Sequence, residues 1–325
     1  MLFSVDKETK KELFLASLKS KNSKLNKYKR YRGAPIRYPG GKSLAVGYIL
    51  ELLPNDVNRV VSPFIGGGSV EVALSRELGV EVVGYDIFDI LVNFWQIILD
   101  EEKKEKMIDF LKNLSPDRDT YEEVKNRLKK HWRYLQYGEG SIKDIVSDKI
   151  KLAAYFFFNY QLSYGPGFLG WPSSVYLNEK RYIVMLKKLE NFHAPNMKVY
   201  CGDFRETIKK HKNDFLYLDP PYYIGEDSKM FKGIYPMRNF PIHHDGFPHE
   251  ELRNLLKEHR GGFILSYNDC PTIREYYSEF EFRFPSWQYT MGQGEKRIGK
   301  YRKIRSEKTN VKESHEILIY CPPSY

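Results

Sequence analysis

The sequence predicts an α/β protein in which an open, mainly parallel sheet is interrupted by a mainly helical insertion. Short apolar runs such as Val60-Val61, Val82-Val83, Phe215–Leu218 and Phe263–Tyr267 are bounded by turn residues, and several lead into segments with helical spacing. That alternation marks βα units. Between residues 103 and 196 the alternation lapses into charged, aromatic-rich sequence with helical periodicity. A chain of 325 residues, 42% hydrophobic and 15% aromatic, can bury a full α/β core and a smaller second unit. The expected division is a basic arm (1–32), a sheet unit built from 33–102 and 197–325, and an insertion (103–196).

Composition narrows the class of protein. A formal net charge of +10 suits a polyanionic partner but does not by itself establish one. Cys201, Cys270 and Cys321 are odd in number and far apart, so they match neither a disulfide framework nor a zinc spacing. No run approaches the 18 or so apolar residues of a membrane span, and Met1 to Glu12 carries charges where a signal peptide needs an apolar core. A cytoplasmic protein with no membrane partner is expected.

Taken in order, residues 1–32 begin with a short helix (Leu13, Phe14, Leu18) and continue into Lys19, Lys21, Lys24, Lys27, Lys29, Arg30 and Arg32. This reads as a solvated arm, or as a phosphate contact, which needs only positive charge and reach. Ile36-Arg37-Tyr38-Pro39-Gly40-Gly41-Lys42-Ser43 follows, ahead of a helical pattern at Leu44, Ile49, Leu50, Leu52 and Leu53. A P-loop would need its first glycine where Ile36 stands, so that reading fails. Paired glycines before a helix still leave backbone amides for an anion, with Lys42 beside them. Arg59 to Ser62 reads as a strand, Pro63-Phe64-Ile65-Gly66-Gly67-Gly68-Ser69 as a loop and Val70 to Leu78 as a helix. The glycines allow close approach of a ligand, but Glu71 stands where a dinucleotide fingerprint has its third glycine. Glu81 to Tyr85 is a second strand ending in Asp86, placed to accept from two ribose hydroxyls, while Asp89 opens the next helix.

In the insertion, Tyr121, Val124, Leu128, Trp132 and Leu135 share a helical stripe, as do Leu152, Tyr155, Phe156 and Asn159. Pro116-Asp117 with Glu123-Val124-Lys125 superficially matches a nuclease pattern, but it falls on a helix. Tyr164-Gly165-Pro166-Gly167-Phe168-Leu169-Gly170-Trp171 reads as a hairpin whose aromatics either wedge into a duplex or only close a tight turn. The sheet resumes at Met197 to Tyr200, followed by Gly202-Asp203-Phe204. A long polar and aromatic loop occupies 224–247. His243, His244 and His249 lack the matched surroundings of a metal site, and no metal is expected. A helix opens at Pro248, Asn268-Asp269 closes the strand that starts at Phe263, and a final pair of strands lies at 280–287 and 315–320. Between that pair, Lys296, Arg297, Lys300, Arg302, Lys303 and Arg305 form a basic loop suited to backbone phosphates.

The stretch that organises the rest is Phe215-Leu216-Tyr217-Leu218-Asp219-Pro220-Pro221-Tyr222. Four apolar residues stopped by two prolines read as a buried strand, which places Asp219 at its carboxyl edge beside the ligand crevice of an open sheet. Two prolines fix φ and remove two amide donors, leaving a rigid turn that offers a carboxylate, backbone carbonyls and an aromatic face. Such a turn suits a planar ring bearing an amino group.

Asp219-Pro220-Pro221-Tyr222 resembles the catalytic motif of the DNA adenine-N6 methyltransferases, and the whole chain resembles their Dam-type group. The resemblance implies a Rossmann-like seven-stranded S-adenosylmethionine-dependent methyltransferase sheet with an antiparallel last hairpin and an inserted, mainly helical DNA-recognition domain. It implies S-adenosyl-L-methionine as methyl donor. The segment around Tyr38 and Lys42, the loop Pro63, Phe64, Gly66 and Gly68, the turn at Asp203 and Phe204, and Asp219 itself would then contact it, alongside Asp86. It implies double-stranded DNA as partner, met by Asn159, Tyr164 and Phe168 of the hairpin region and by Arg297, Lys300 and Arg302 of the basic loop. The resemblance implies either a restriction-modification role, with a cognate restriction endonuclease as partner, or a genome-marking role. Asp219, Pro220, Pro221 and Tyr222 would be catalytic. The exocyclic amine of adenine is a poor nucleophile; two acceptors on its hydrogens favour a tetrahedral nitrogen, and a flipped base needs a face such as Tyr222 to stack on. Methylation of RNA adenine or of DNA cytosine N4, and a non-catalytic nucleic-acid-binding module, are the alternative readings.

Overall fold

The computed structural model describes residues 6–20, 27–165, 167–223, 246–285 and 316–324. The seven apolar runs become seven strands: β1 (Arg59–Ser62), β2 (Glu81–Asp86), β3 (Met197–Cys201), β4 (Phe215–Leu218), β5 (Phe263–Asn268), β6 (Glu281–Arg283) and β7 (Glu316–Cys321). They form one sheet in the order β3-β2-β1-β4-β5-β7-β6. β4 and β5 are buried along their whole length, as expected of interior parallel strands covered on both faces. β1 to β5 pair in parallel, and β7 is antiparallel to both β5 and β6. The chain winds outward from β1 in one direction and from β4 in the other, so the carboxyl ends of these two neighbours border the crevice where such sheets bind ligands.

The helices among the described residues are α1 (Lys7–Leu18), α2 (Val46–Leu52), α3 (Ser69–Leu78), α4 (Asp89–Ile98), α5 (Glu101–Lys112), α6 (Arg118–Tyr137), α7 (Lys149–Leu162), α8 (Glu179–Glu190), α9 (Phe204–Lys210), α10 (His249–Lys257) and α11 (Pro271–Tyr276). α5 to α8 form the insertion. Asp117 caps α6 by accepting from the Thr120 amide, and Gly138 ends it in a left-handed conformation (φ 66°). The expected stripe Tyr121, Val124, Leu128 and Trp132 is buried, whereas Leu135 is exposed. α7 is buried from Leu152 to Leu162 and packs on α4, α5 and α6. Phe94 and Trp95 of α4 join Phe156, Phe157 and Phe192 in one continuous core, so the insertion is rooted in the sheet unit.

For the described part of residues 1–32, 6–20 and 27–32, the expected solvated arm is corrected. Leu18, Tyr28 and Tyr31 are buried, α1 packs on α2 and α3, and the Tyr28 and Tyr31 hydroxyls donate to Glu51 (2.6 Å) and Glu77 (2.9 Å). The apolar face was too short to stand out against the lysines around it. No helix of the described residues is long and apolar enough to cross a membrane.

Candidate active site

The loop after β1 is shaped by its glycines and by Asp86. Gly66 and Gly68 adopt positive φ (44° and 64°), a region an L side chain enters only with strain. A Cβ on Gly68 would lie 2.5 Å from the Trp95 ring, whose Nε1 donates to the Gly66 carbonyl at 3.0 Å. Asp86, at the end of β2, accepts from the Gly66 amide (3.1 Å) through one oxygen and from Phe88 (3.0 Å) through the other. The acid expected to meet a ribose therefore also braces the glycine loop. Tyr38 lies on that loop, where a Cβ on Gly67 would come within 2.4 Å of it, and its ring stacks on Tyr160 at 5.8 Å. Phe64 and Phe204 meet at 5.5 Å, joined by Phe247, while Asp203 caps α9 by accepting from the Arg205 amide. The two strand-end turns on either side of Asp86 thus share one aromatic wall.

Beside this wall stands the turn after β4. Lys42 reaches it from the segment before α2: its ammonium lies 2.7 Å from Asp219 Oδ1, donates to the Gly40 carbonyl at 2.9 Å and sits 4.7 Å from the centre of the Tyr222 ring. Lys42 is buried, and 22% of the Asp219 side chain stays open to solvent. Burial pushes the Asp219 carboxyl above its ordinary value, and the Lys42 ammonium pulls against that rise. For Lys42 the balance runs the other way. Burial lowers its affinity for a proton, but Asp219 and Glu316 outweigh burial and hold it above the usual lysine range.

Two carboxylates missed in the sequence complete the cluster. Glu316 opens β7 and is buried; burial pushes its carboxyl up to about 7 against the pull of Lys42, and its side chain faces the Tyr222 hydroxyl. Glu71 lies in the first turn of α3, accepts from the Ser62 hydroxyl at 2.7 Å, and is pushed up to about 8 by burial. In sequence Glu71 resembles a solvated charge at a helix start and Glu316 a polar residue before an apolar run. Only the fold turns them inward. Arg37 was also passed over: its guanidinium stacks on Tyr176 at 3.7 Å and donates to the carbonyls of Gln161 and Ser163, tying the segment of Tyr38 and Lys42 to the hairpin.

Of the residues read as DNA contacts, Tyr164 is 72% exposed and stands with Trp171, 76% exposed, on a hairpin closed by the Ser163–Pro172 bridge. Asn159 and Phe168 are instead interior. The Asn159 amide accepts from Leu169 N (2.8 Å) and donates to the Tyr121 hydroxyl (3.0 Å), and Phe168 packs on Phe88 at 5.0 Å. Their side chains are spent on building the hairpin, because a buried amide must be satisfied within the chain. Tyr222 is also buried, with Tyr267 at 6.1 Å, so its ring becomes a stacking face only when uncovered. Arg297, Lys300 and Arg302, the loop 224–245 and the histidines His243 and His244 lie outside the described residues. His249 bonds the Tyr267 hydroxyl, and burial lowers its ring to about 4.

A glycine cradle that any Cβ would fill, a strand-end acid and an aromatic wall fit a nucleoside-bearing methyl donor, and the turn at Asp219 faces the same crevice from the next strand. The fold and site are those of a Rossmann-like methyltransferase that acts on an amino nitrogen. Residues 38–291 match the sequence model of the D12 class N6 adenine-specific DNA methyltransferases, and the chain belongs to that family. Among its relatives is the type II methyltransferase M1.LlaDCHI of Lactococcus lactis subsp. cremoris, 25% identical over 75% of this chain and 84% of its own length. The type II methyltransferase M.MjaIII of Methanocaldococcus jannaschii is 25% identical over 58% of this chain and 68% of its own length. The DNA adenine methylase of Haemophilus influenzae is 22% identical over 81% and 89%. The chain is thus an adenine-specific DNA methyltransferase, and membership of the family implies S-adenosylmethionine as its methyl donor.

Proposed function

We propose that this enzyme methylates N6 of an adenine flipped out of a defined site in double-stranded DNA, with Asp219 and the prolines after it holding the target amine. The observation that carries this reading is the Lys42–Asp219 pair, 2.7 Å apart at the strand end next to the glycine loop, with Lys42 buried and Asp219 partly open to the crevice. The ammonium favours the ionised carboxylate despite burial, so Asp219 can accept a hydrogen bond from the amine. A carbonyl of the Pro220-Pro221 turn accepts the second, with no local amide competing for it. Drawing both hydrogens out of the ring plane localises the nitrogen lone pair, and the carboxylate stabilises positive charge as it develops.

S-adenosylmethionine, when bound, supplies a sulfonium methyl that is already activated and needs only in-line approach. Tyr38, Pro63, Phe64, Gly66, Gly68, Asp86, Asp203 and Phe204 are the residues that would hold it, with Lys42 and Asp219 at their edge. Tyr164 and Trp171 would meet the duplex, and Arg297, Lys300 and Arg302 its phosphates. Relatives named as type II methyltransferases support a restriction-modification role, with a cognate endonuclease that the methyl mark protects against.

The test is methyl transfer from labelled S-adenosylmethionine to duplex DNA by the wild type and by Asp219→Ala, with donor binding followed by calorimetry. Removing the acceptor should cost on the order of 10²-fold or more in rate, while donor affinity falls far less. A variant within a few-fold of wild-type turnover overturns the assignment.

A further inference from the structure

The catalytic turn has one end fixed by the sheet and the other by a single side chain. Upstream, Leu218 is held in the β4 ladder opposite Leu265. Downstream, the anchor is Asn268, the last residue of β5, buried and opposite Glu316 of β7. Its Oδ1 accepts from the Tyr223 amide at 2.9 Å and its Nδ2 donates to the Tyr223 carbonyl at 2.9 Å. One carboxamide thereby makes both hydrogen bonds that a neighbouring strand would make. The two bonds also fix which end of the amide is oxygen, because the opposite assignment would set donor against donor and acceptor against acceptor.

The need for this clamp follows from the turn itself. Pro220 and Pro221 have no N–H, so the first backbone donors after Asp219 are those of Tyr222 and Tyr223. Tyr223 is also packed by its ring on His249 of α10 at 5.1 Å. We propose that Asn268 is a positioning residue for methyl transfer: its carboxamide locks the downstream end of the Asp219–Tyr222 turn and so sets the proline carbonyls and the Tyr222 ring relative to the carboxylate. The role rests on the reading of that turn as the holder of the target amine.

A residue that only satisfied a buried loop would affect stability alone, so the test separates turnover from folding. In Asn268→Ala, kcat should fall by on the order of 10²-fold, the loss expected for a misplacement of about 1 Å, with KM for donor and duplex changed only a few-fold. Asn268→Asp adds a readout that structure alone would not produce. The introduced carboxyl, when protonated, donates and accepts as the amide does; ionised, it cannot donate and repels the Tyr223 carbonyl. The titratable groups on the elements that meet it are Glu316, opposite on β7 and itself under the pull of Lys42, His249 of α10, which packs on Tyr223, and Asp269, which is paired with Arg274 at 2.6 Å. Burial disfavours its ionised form, so the ratio of Asn268→Asp to wild-type turnover should rise as pH falls, even though both proteins share the acid limb of Asp219.

Asp219→Ala is run in the same assay. If it retains turnover, the reading of the turn fails. If it is inactive while Asn268→Ala turns over normally, only the clamp fails. Should Asn268→Ala not fold, Asn268→Asp decides: a ratio to wild-type turnover that rises as pH falls supports the clamp, and a ratio constant with pH overturns it.

Discussion

Lys42→Met removes the ammonium beside Asp219 while keeping most of the side-chain volume. With Nζ and Oδ1 at 2.7 Å, Coulomb's law at an effective dielectric of about 20 gives about 6 kcal/mol of attraction. Removing one partner of a fully buried pair costs about 3–5 kcal/mol, and the 22% of the Asp219 side chain left open to solvent puts this pair at the low end. The variant has a way to relieve the cost, because Asp219 can take up a proton. In the wild type, burial raises that carboxyl and Lys42 opposes the rise, so losing Lys42 moves its pKa further up. If about 3 kcal/mol is expressed in this equilibrium, the acid limb of the rate profile shifts by about two pH units. The ionised carboxylate is the working form, so activity lost at neutral pH should return as pH is raised. Single-turnover methyl transfer at saturating donor, from about pH 6 to about pH 9, would show the displaced limb. An acid limb at the wild-type position, in a variant that folds and binds donor, would refute the pairing as the control on Asp219.

Asp86→Ala leaves the Gly66 and Phe88 amides without their acceptor, and calorimetry should show donor affinity weakened by about 1–3 kcal/mol with the fold retained. Glu71 is raised from the ordinary carboxyl range to about 8, so its contribution to stability is complete below about pH 4.5 and lost as pH rises through 8. Over that window wild-type stability should fall by up to about 1.4 kcal/mol per pH unit on its account, and Glu71→Gln should flatten the slope in melting experiments. Gly68→Ala forces a methyl into the Trp95 ring at positive φ and should lower the melting temperature together with donor affinity. Tyr164→Ala should leave the melt unchanged and weaken duplex binding or base flipping. Asn159→Ala should instead cost about 1–3 kcal/mol of stability by orphaning the Leu169 amide.

What the sequence made legible is what local chemistry announces. Apolar runs ended by Asp86 or by Asp219-Pro220-Pro221 located their strands and strand-end acids, because strand length, proline and the carboxyl edge of a parallel sheet are local constraints. Glycines at Gly66 and Gly68 marked a backbone position that side chains exclude. The rest depended on long-range contacts. Nothing next to Lys42 in the chain signals that its partner is Asp219, and nothing near Glu316 or Asn268 tells that their strands turn them towards the same turn. Asn159 and Phe168 were read as duplex contacts through the resemblance of their segment to a recognition hairpin; the structure buries Asn159 within α7 and Phe168 against Phe88. The arm failed for a related reason, since three buried residues, Leu18, Tyr28 and Tyr31, decide its packing among many lysines.

The central claim is that the turn at Asp219 holds adenine N6 for methyl transfer. It is tested most directly by nucleoside mass spectrometry on DNA from a host without adenine methylation, expressing either the wild type or Asp219→Ala. The wild type should yield N6-methyldeoxyadenosine, and the Asp219→Ala host should yield none. N4-methyldeoxycytidine in place of the adenine product, or equal N6-methyldeoxyadenosine from both proteins, would contradict it.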